Sequence, residues 1–387
     1  MENFIYGTPT KLIFGKGAIE NLADVLKKFG NRILLTYGTG SIKRIGLYDE
    51  VIRRLEGFEV YELSGIEPNP KYDPSVLDGI CLCRDHEIDV ILAVGGGSVL
   101  DCSKAIAAGV RYDGEAWNLV TGKAKVEDAL PIVDIMTAAA TGSEYDGAAV
   151  ISNTDTSDKI GMKSRYIFPA YSFLDPTYTL SVPKSQTMAG IADAICHVME
   201  DYFVSTYSLL TDGMCEACIK SLIQNARILD RNLQDYEARS EVMLDCALAC
   251  NGIFSLGNSD SMWPLHAIEH TLSAFYDITH GIGLAIIIPR WMRFAANHGA
   301  VDRIVNFGIN IFGIDAIHGE EEIVNKTIEE TYRLFESLGI PMKLSELGIG
   351  DDQFEAMAEK VTERKNLEDA FVPLTKDDIV EIFRESL

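Results

Sequence analysis

Basic residues are scarce in this chain relative to acidic ones. The 387 residues include 34 lysines and arginines against 58 aspartates and glutamates, which gives a formal net charge of −24 at pH 7. A protein with this charge repels phosphate backbones and anionic lipid headgroups. We therefore expect neither nucleic acid nor a membrane as a partner.

Long apolar runs are missing as well. A membrane-spanning helix needs about 18 or more consecutive apolar residues, and Asp89, Asp101 and Asp134 interrupt the most apolar stretches. The start, Met1-Glu2-Asn3-Phe4, has no basic region that leads into an apolar one, so no signal-peptide pattern is present. These absences favour a cytoplasmic protein.

The cysteines do not have the spacing of a disulfide framework. Most of the eight lie in apolar segments, and the pairs Cys215/Cys218 and Cys246/Cys250 fall within helical patterns. A buried thiol in such a place behaves as a small hydrophobic group, and we prefer this interpretation to a zinc site made of cysteines. The pattern also fits a reducing, cytoplasmic compartment.

The two halves of the chain differ in their hydrophobic periodicity. Up to about residue 180, β-branched runs such as Arg32 to Tyr37, Asp89 to Val94 and Leu130 to Ile135 alternate with helical patterns. This alternation predicts an α/β domain with a parallel, doubly wound sheet. After residues 175–183 the pattern becomes helical throughout, so we expect domains at 1–181 and 182–387, the second all-helical.

Glycine-rich loops follow three of the predicted strands, although the Gly-x-Gly-x-x-Gly fingerprint is absent. The segment Gly95-Gly96-Gly97-Ser98 precedes a helical pattern that contains Asp101, and a tight turn without any ligand would explain this loop alone. Two more loops, Gly38 to Lys43 and Thr137 to Glu144, also follow strands. Ligands bind at the carboxyl ends of such strands, so the repetition favours a dinucleotide.

The first of these loops bears on the identity of the dinucleotide. An NAD site usually places an acidic residue on the ribose 2′-hydroxyl, whereas the 2′-phosphate of NADP needs space and positive charge. The loop offers Gly38, Gly40, Ser41 and Lys43, with no acidic residue before Asp49. We therefore expect NADP(H) in preference to NAD(H).

Four of the seven histidines fall between residues 197 and 280. Asp193 and His197 are four residues apart, as are His266 and His270, so each pair projects from one face of a helix. A single histidine of this kind would be explained by a hydrogen bond in the core. A carboxylate with several imidazoles in apolar segments instead indicates a divalent cation, Fe²⁺ or Zn²⁺.

Taken together, the motifs resemble the iron-containing (group III) alcohol dehydrogenase family, in its butanol dehydrogenase-like branch. The resemblance covers essentially the whole chain and rests on the segment 95–104, on Ala140-Thr141-Gly142-Ser143-Glu144, on Asp193 with His197, and on 266–281. It implies the two-domain architecture shared with dehydroquinate synthase. It also implies hydride transfer between the nicotinamide and a small alcohol or aldehyde. We expect the substrate to be neutral and the protein to be a homodimer, in which the apolar run Lys11 to Phe14 could add a strand across the interface.

The resemblance also implies roles for individual residues. The metal ligands would be Asp193, His197, His266 and His280, and His270 would lie next to the metal and the nicotinamide. The cofactor would be bound by Gly95, Gly96, Gly97, Ser98, Thr137, Thr141, Ser143, Lys159 and Tyr178, with Asp101 in the helix that follows the second loop.

Four other functions remain open at this point. A dehydroquinate synthase-like or a glycerol dehydrogenase-like metalloenzyme would have the same architecture. The former grips an anionic substrate with several cations, yet only four basic residues lie between Asp193 and His280, none of them adjacent to a ligand: Lys220, Arg227, Arg231 and Arg239. A metal-dependent hydrolase or a metal-binding protein without redox chemistry would leave the three glycine-rich loops unexplained.

Overall fold

The structure is a computed structural model that describes all residues from Met1 to Leu387. It divides into two compact units that are interleaved along the chain. One consists of Gly7–Pro183 and Asn232–Asn251, and the other of Met1–Tyr6, Lys184–Arg231 and Gly252–Leu387. The sequence predicted continuous domains at 1–181 and 182–387, a division that differs from these units at Met1–Tyr6, at residues 182–183 and at Asn232–Asn251.

The first unit contains eight strands. They are β1 Lys11–Phe14, β2 Arg32–Gly38, β3 Glu59–Ile66, β4 Val90–Gly95, β5 Ile132–Met136, β6 Ala148–Asn153, β7 Asp158–Lys163 and β8 Tyr171–Leu174. Six of them form one parallel sheet in the order β1-β8-β5-β4-β2-β3. Strands β6 and β7 form a separate antiparallel hairpin, which the sequence did not predict.

The helices of the first unit cover both faces of this sheet. They are α1 Leu22–Leu26, α2 Ser41–Arg44, α3 Leu47–Arg54, α4 Leu77–Asp85, α5 Gly97–Val110, α6 Trp117–Val120 and α9 Tyr236–Ala249. Successive strand residues point to opposite faces, so Leu34 and Ile91 join one core cluster, whereas Leu35 and Leu92 join the other. The predicted doubly wound α/β domain is therefore confirmed.

The second unit is entirely helical, as predicted. Its helices are α7 Lys184–Tyr202, α8 Leu209–Arg231, α10 Pro264–Tyr276, α11 His280–Asn297, α12 Val301–Phe312, α13 Glu320–Ser337, α14 Phe354–Arg364 and α15 Lys376–Glu385. Helix α7 is buried from Thr187 to Tyr202, which is typical of a helix at the centre of its domain. No helix in the chain has the length and apolar composition of a membrane span.

Strand β5 carries a buried aspartate, Asp134, in the middle of the sheet. The Ser172 hydroxyl oxygen lies 2.5 Å from Asp134 Oδ2 and 2.6 Å from the backbone oxygen of Glu144. A hydroxyl has one proton to donate, and the Glu144 carbonyl can only accept. Both contacts are hydrogen bonds when Asp134 is protonated and donates to Ser172. Burial raises the pKa of Asp134 well above its ordinary value, and the Glu144 carboxylate raises it further.

We predict that Asp134→Asn becomes more stable relative to the parent as the pH rises. A raised carboxyl pKa means that the folded chain binds a proton that the unfolded chain has lost, so the parent loses stability as pH rises toward the folded pKa, by at most about 1.4 kcal/mol per pH unit. The side-chain amide of the variant donates to Ser172 at every pH. Urea unfolding of both proteins at pH 5 and pH 8 measures the difference, and a constant difference would contradict a protonated Asp134.

Candidate functional site

Helix α7 positions the first two residues of the candidate metal site. Asp193 and His197 are 3% and 4% exposed, and their spacing places both on one face of the helix. His197 Nε2 lies 3.5 Å from Asp193 Oδ1. A carboxylate buried in this way is costly unless a positive charge compensates it.

Helices α10 and α11 bring two more imidazoles to the same place. His266 lies in the first turn of α10, and His280 is the first residue of α11. His280 Nε2 is 3.6 Å from Asp193 Oδ1, and the His266 ring centre is 4.7 Å from that of His197. One potential ligand atom from each of the four residues lies within 4.8 Å of the others. The structure thus brings together the four side chains that the family resemblance implied as ligands.

Gly281 allows α11 to come this close to α7. A Cβ atom at residue 281 would lie 2.0 Å from the backbone oxygen of Ala189 and 3.2 Å from Asp193 Cβ. Only a residue without a side chain fits this contact. The neighbouring His280 is consequently held beside Asp193.

Trp263 covers part of the cluster. Its ring centre lies 5.4 Å from that of His197 and 4.7 Å from that of His266. Met262 and Trp263 have φ angles of 60° and 45°, values that non-glycine residues rarely adopt. Strained backbone of this kind clusters at functional sites. Burial also lowers the pKa of His197 well below its ordinary value, so its imidazole is neutral, as a metal ligand requires.

His270 lies beside the cluster of four. Its ring centre is 5.3 Å from that of His280 and 6.2 Å from that of His266, and its side chain is partly exposed. Sequence reasoning missed two buried carboxylates, Glu200 and Glu269, which contact His266 and His280. Their spacing was the available signal, because Glu200 follows His197 by three residues and Glu269 follows His266 by three.

The three glycine-rich loops follow neighbouring parallel strands, β5, β4 and β2, and therefore share one edge of the sheet. A Cβ on Gly97 would lie 2.4 Å from the Thr141 hydroxyl, and one on Gly96 would lie 3.4 Å from the Ala138 Cβ. Helix α5 begins at Gly97 without a side-chain cap, so its first amides are available to an anionic ligand.

Two of the predicted cofactor residues hold this loop in place. Asp101 accepts hydrogen bonds from the Ser143 hydroxyl at 2.6 Å and from the Val150 amide at 2.8 Å. Asp101 and Ser143 are both buried, and burial raises the pKa of Asp101 to about 6. They link α5 to the loop after β5 from within the protein. Direct contact of either residue with a cofactor stays a prediction.

The remaining predicted cofactor residues differ in exposure. Thr137 and Lys159 are buried, whereas Ser98, Thr141 and Tyr178 are only partly so. Lys159 lies on β7 of the antiparallel hairpin, which is separate from the six-stranded sheet. Tyr178 follows β8 and packs against the core on one face of the sheet.

Lys43 is held by an aromatic cluster at the end of β2. Its Nζ lies 4.9 Å from the Tyr37 ring centre and 4.5 Å from that of Tyr48. Both tyrosine hydroxyls donate to Glu62, at 2.6 and 2.8 Å. The hydrogen bond to Glu62 is the main cause that raises the pKa of Tyr48 to about 12.

Comparisons with known proteins agree with this fold. The family model for iron-containing alcohol dehydrogenase matches residues 9–176, and that for the Fe-containing alcohol dehydrogenase C-terminal domain matches residues 187–387. The chain is 45% identical to NADH-dependent butanol dehydrogenase A of Clostridium acetobutylicum over the full length of both proteins. It is 34% identical to the NADPH-dependent aldehyde reductase YqhD of Escherichia coli, over 94% of each chain.

A solved structure is similar over the same extent. The NADH-dependent butanol dehydrogenase A of Thermotoga maritima superposes with a TM-score of 0.95 and 36% sequence identity, covering 100% of this chain and 99% of that one. The matches define the class as a metal-dependent oxidoreductase with a nicotinamide cofactor. Within this class, the chain belongs to the iron-containing alcohol dehydrogenase family. The predicted resemblance to its butanol dehydrogenase-like branch is confirmed.

We predict that Gly281→Ala destabilises the protein by about 1 to 3 kcal/mol, the usual cost of forcing extra atoms into a packed interior. Gly213→Ala is the matched control, because residue 213 lies in α8 with nothing within 4 Å of an added Cβ. This control should gain up to about 1 kcal/mol from helix propensity. Urea unfolding of the metal-free proteins tests both, and a Gly281→Ala protein as stable as the parent would contradict the close approach of α7 and α11.

Proposed function

We propose that the chain is a metal-dependent alcohol dehydrogenase and aldehyde reductase. It transfers hydride between NADP(H), or alternatively NAD(H), and a small primary alcohol or aldehyde such as butanol and butanal. The observation that carries the proposal is the cluster of Asp193, His197, His266 and His280, whose potential ligand atoms lie within 4.8 Å of one another. One carboxylate and three imidazoles suit Fe²⁺ or Zn²⁺.

Asp193 supports the fit of a divalent cation. Its buried carboxylate has two imidazole nitrogens at 3.5 and 3.6 Å, and the pKa of one of these histidines, His197, is lowered so that it stays neutral. A bound divalent ion would supply the positive charge and act as a Lewis acid toward the substrate oxygen. Trp263 would limit the access of water to this group.

His270 is the candidate for proton transfer. It is partly exposed and lies 5.3 Å, ring centre to ring centre, from His280. An imidazole in this position can accept the hydroxyl proton of an alcohol as hydride leaves, or donate a proton to the oxygen of an aldehyde as hydride adds to its carbonyl carbon. It can exchange this proton with solvent.

We further propose that NADP(H) is preferred. The support is the loop after β2, in which Lys43 has no acidic neighbour before Asp49 and the nearby Glu62 accepts from two tyrosines. The names of the relatives cited above point in both directions, because the two butanol dehydrogenases are NADH-dependent and the aldehyde reductase is NADPH-dependent.

The remaining parts of the proposal concern the charge of the substrate, the cellular compartment and the oligomeric state. The substrate is neutral, because the chain as a whole is acidic and would repel an anionic one. The protein is a cytoplasmic homodimer. Its eight cysteines form no disulfide, which suits a reducing compartment, and the edge strand β1 offers backbone groups to a second copy.

We expect the purified protein to oxidise NADPH when butanal is added, and to lose this activity on treatment with a chelator. Addition of Fe²⁺ or Zn²⁺ should restore it. Following nicotinamide absorbance with NADPH and NADH in parallel gives the ratio of kcat/KM for the two cofactors, which we expect to favour NADPH. The absence of metal-dependent oxidation of either cofactor across short aldehydes would refute the dehydrogenase function.

We predict that His270→Asn lowers kcat by about a hundredfold, within the range of general acid–base catalysis. Metal content, measured by elemental analysis, should not change, because the four proposed ligands remain. His298→Asn is the matched control, since His298 is exposed and stacks on Phe294. An unchanged turnover of the His270 variant would exclude this residue from proton transfer.

A further inference from the structure

Glu200 contacts His266, one of the four side chains of the candidate metal site. One carboxylate oxygen contacts His266 Nδ1, and the other accepts a hydrogen bond from the Leu265 amide at 2.7 Å. Glu200 is 2% exposed and belongs to α7, whereas both contacts are at the start of α10. The carboxylate therefore fixes the histidine and at the same time satisfies an amide of the first helical turn.

Glu269 makes the equivalent contact with His280. One of its oxygens contacts His280 Nδ1, and the other accepts a hydrogen bond from the Ser273 hydroxyl at 2.5 Å. Glu269 is completely buried. A Cβ on Gly283 would lie 2.7 Å from Oε1 of Glu269. Glycine within α11 therefore makes room for this carboxylate, although it weakens a helix by about 1 kcal/mol relative to alanine.

The two contacts determine which ring nitrogen is available to a metal. A carboxylate that contacts Nδ1 keeps the proton on that atom, so Nε2 carries the lone pair. His280 Nε2 is the atom that lies 3.6 Å from Asp193 Oδ1, inside the cluster. His197 differs from both, because its Nδ1 is buried without a hydrogen-bond partner.

The charges near the cluster indicate why carboxylates are needed beside the histidines. His266 and His280 begin or nearly begin their helices, and a helix N-terminus carries about half a positive charge, which disfavours a nearby cation. The carboxyl groups of Asp193, Glu200 and Glu269 are all buried around the cluster, and they would offset this positive charge for a divalent ion.

We propose that Glu200 and Glu269 are positioning residues for the metal: they hold His266 and His280 with Nδ1 protonated and Nε2 directed at the ion, and they add negative charge that strengthens its binding. This inference rests on the proposed metal site. It adds that two of the three imidazoles are backed by carboxylates, each in turn anchored by a second hydrogen bond, and that the third is not.

The test measures metal affinity separately from activity. The metal is removed from the parent and from Glu200→Gln and Glu269→Gln, and Co²⁺ is titrated into each against a chromophoric chelator. Glutamine keeps the size of the side chain and removes its charge. We expect each variant to bind Co²⁺ 10- to 100-fold more weakly, the range found when such outer carboxylates are replaced. The visible absorption of bound Co²⁺ should also change if the carboxylates orient the ligands. A purely structural role would leave this spectrum as in the parent.

Two further variants calibrate the result. Ser273→Ala removes the second hydrogen bond of Glu269 and should weaken binding less than Glu269→Gln does. Glu216→Gln is the matched control, because Glu216 lies in the same unit and accepts a hydrogen bond from Asn310 at 2.7 Å. It should bind Co²⁺ within twofold of the parent. Thermal unfolding of the metal-free proteins verifies that each variant is folded.

The outcomes separate the two proposals. Co²⁺ affinities and spectra of both Glu→Gln variants that match those of the parent would overturn the positioning role and leave the metal site intact. A parent that binds no Co²⁺, or a His266→Ala variant that binds it as tightly as the parent, would overturn the metal site itself and the role of the carboxylates with it.

Discussion

Negative charge inside an apolar helical domain is the constraint on which the site depends. Asp193, Glu200 and Glu269 are all buried, and no arrangement of hydrophobic side chains can stabilise three carboxylates away from water. The helices α7, α10 and α11 are therefore arranged around the charge. Glycines at 281 and 283 permit the close packing, and imidazoles fill the space between the carboxylates. The proposed affinity for a cation would be a consequence of how the interior is built.

The unit of the parallel sheet brings its candidate nucleotide-binding loops together through the usual geometry of parallel strands. Parallel strands have their carboxyl ends at one edge, so loops that are far apart in sequence converge there. Gly96 and Gly97 approach Ala138 and Thr141 across two neighbouring strands. The link between Asp101 and Ser143 then holds one loop to the helix that follows the other. The uncapped amides at the start of α5, whose position the fold determines, can serve as donors to a large anion even in a strongly acidic protein.

The sequence sufficed for the class of fold and for the residues that converge in the helical unit. Strands at 32–38, 90–95 and 132–136 lie within one or two residues of the predicted runs, because buried strands leave a clear pattern of β-branched residues. The spacing of Asp193 and His197 was an equally clear signal. The sequence could not predict features that depend on tertiary packing: the strand order, the hairpin of β6 and β7, and the contacts of Glu200 and Glu269. A glutamate between histidines looks the same in sequence whether it faces solvent or an imidazole.

The interleaving of the two units also bears on how the protein is made. Helix α9, at residues 236–249, belongs to the unit of the parallel sheet, although it follows α7 and α8 in the chain. It contacts the loop after β5, where a Cβ on Gly142 would lie 2.7 Å from the backbone oxygen of Cys246. During synthesis on the ribosome, the sheet can form early, but this unit lacks a packing surface until residue 251 has emerged. By then the first two helices of the other unit, α7 and α8, have already been synthesised.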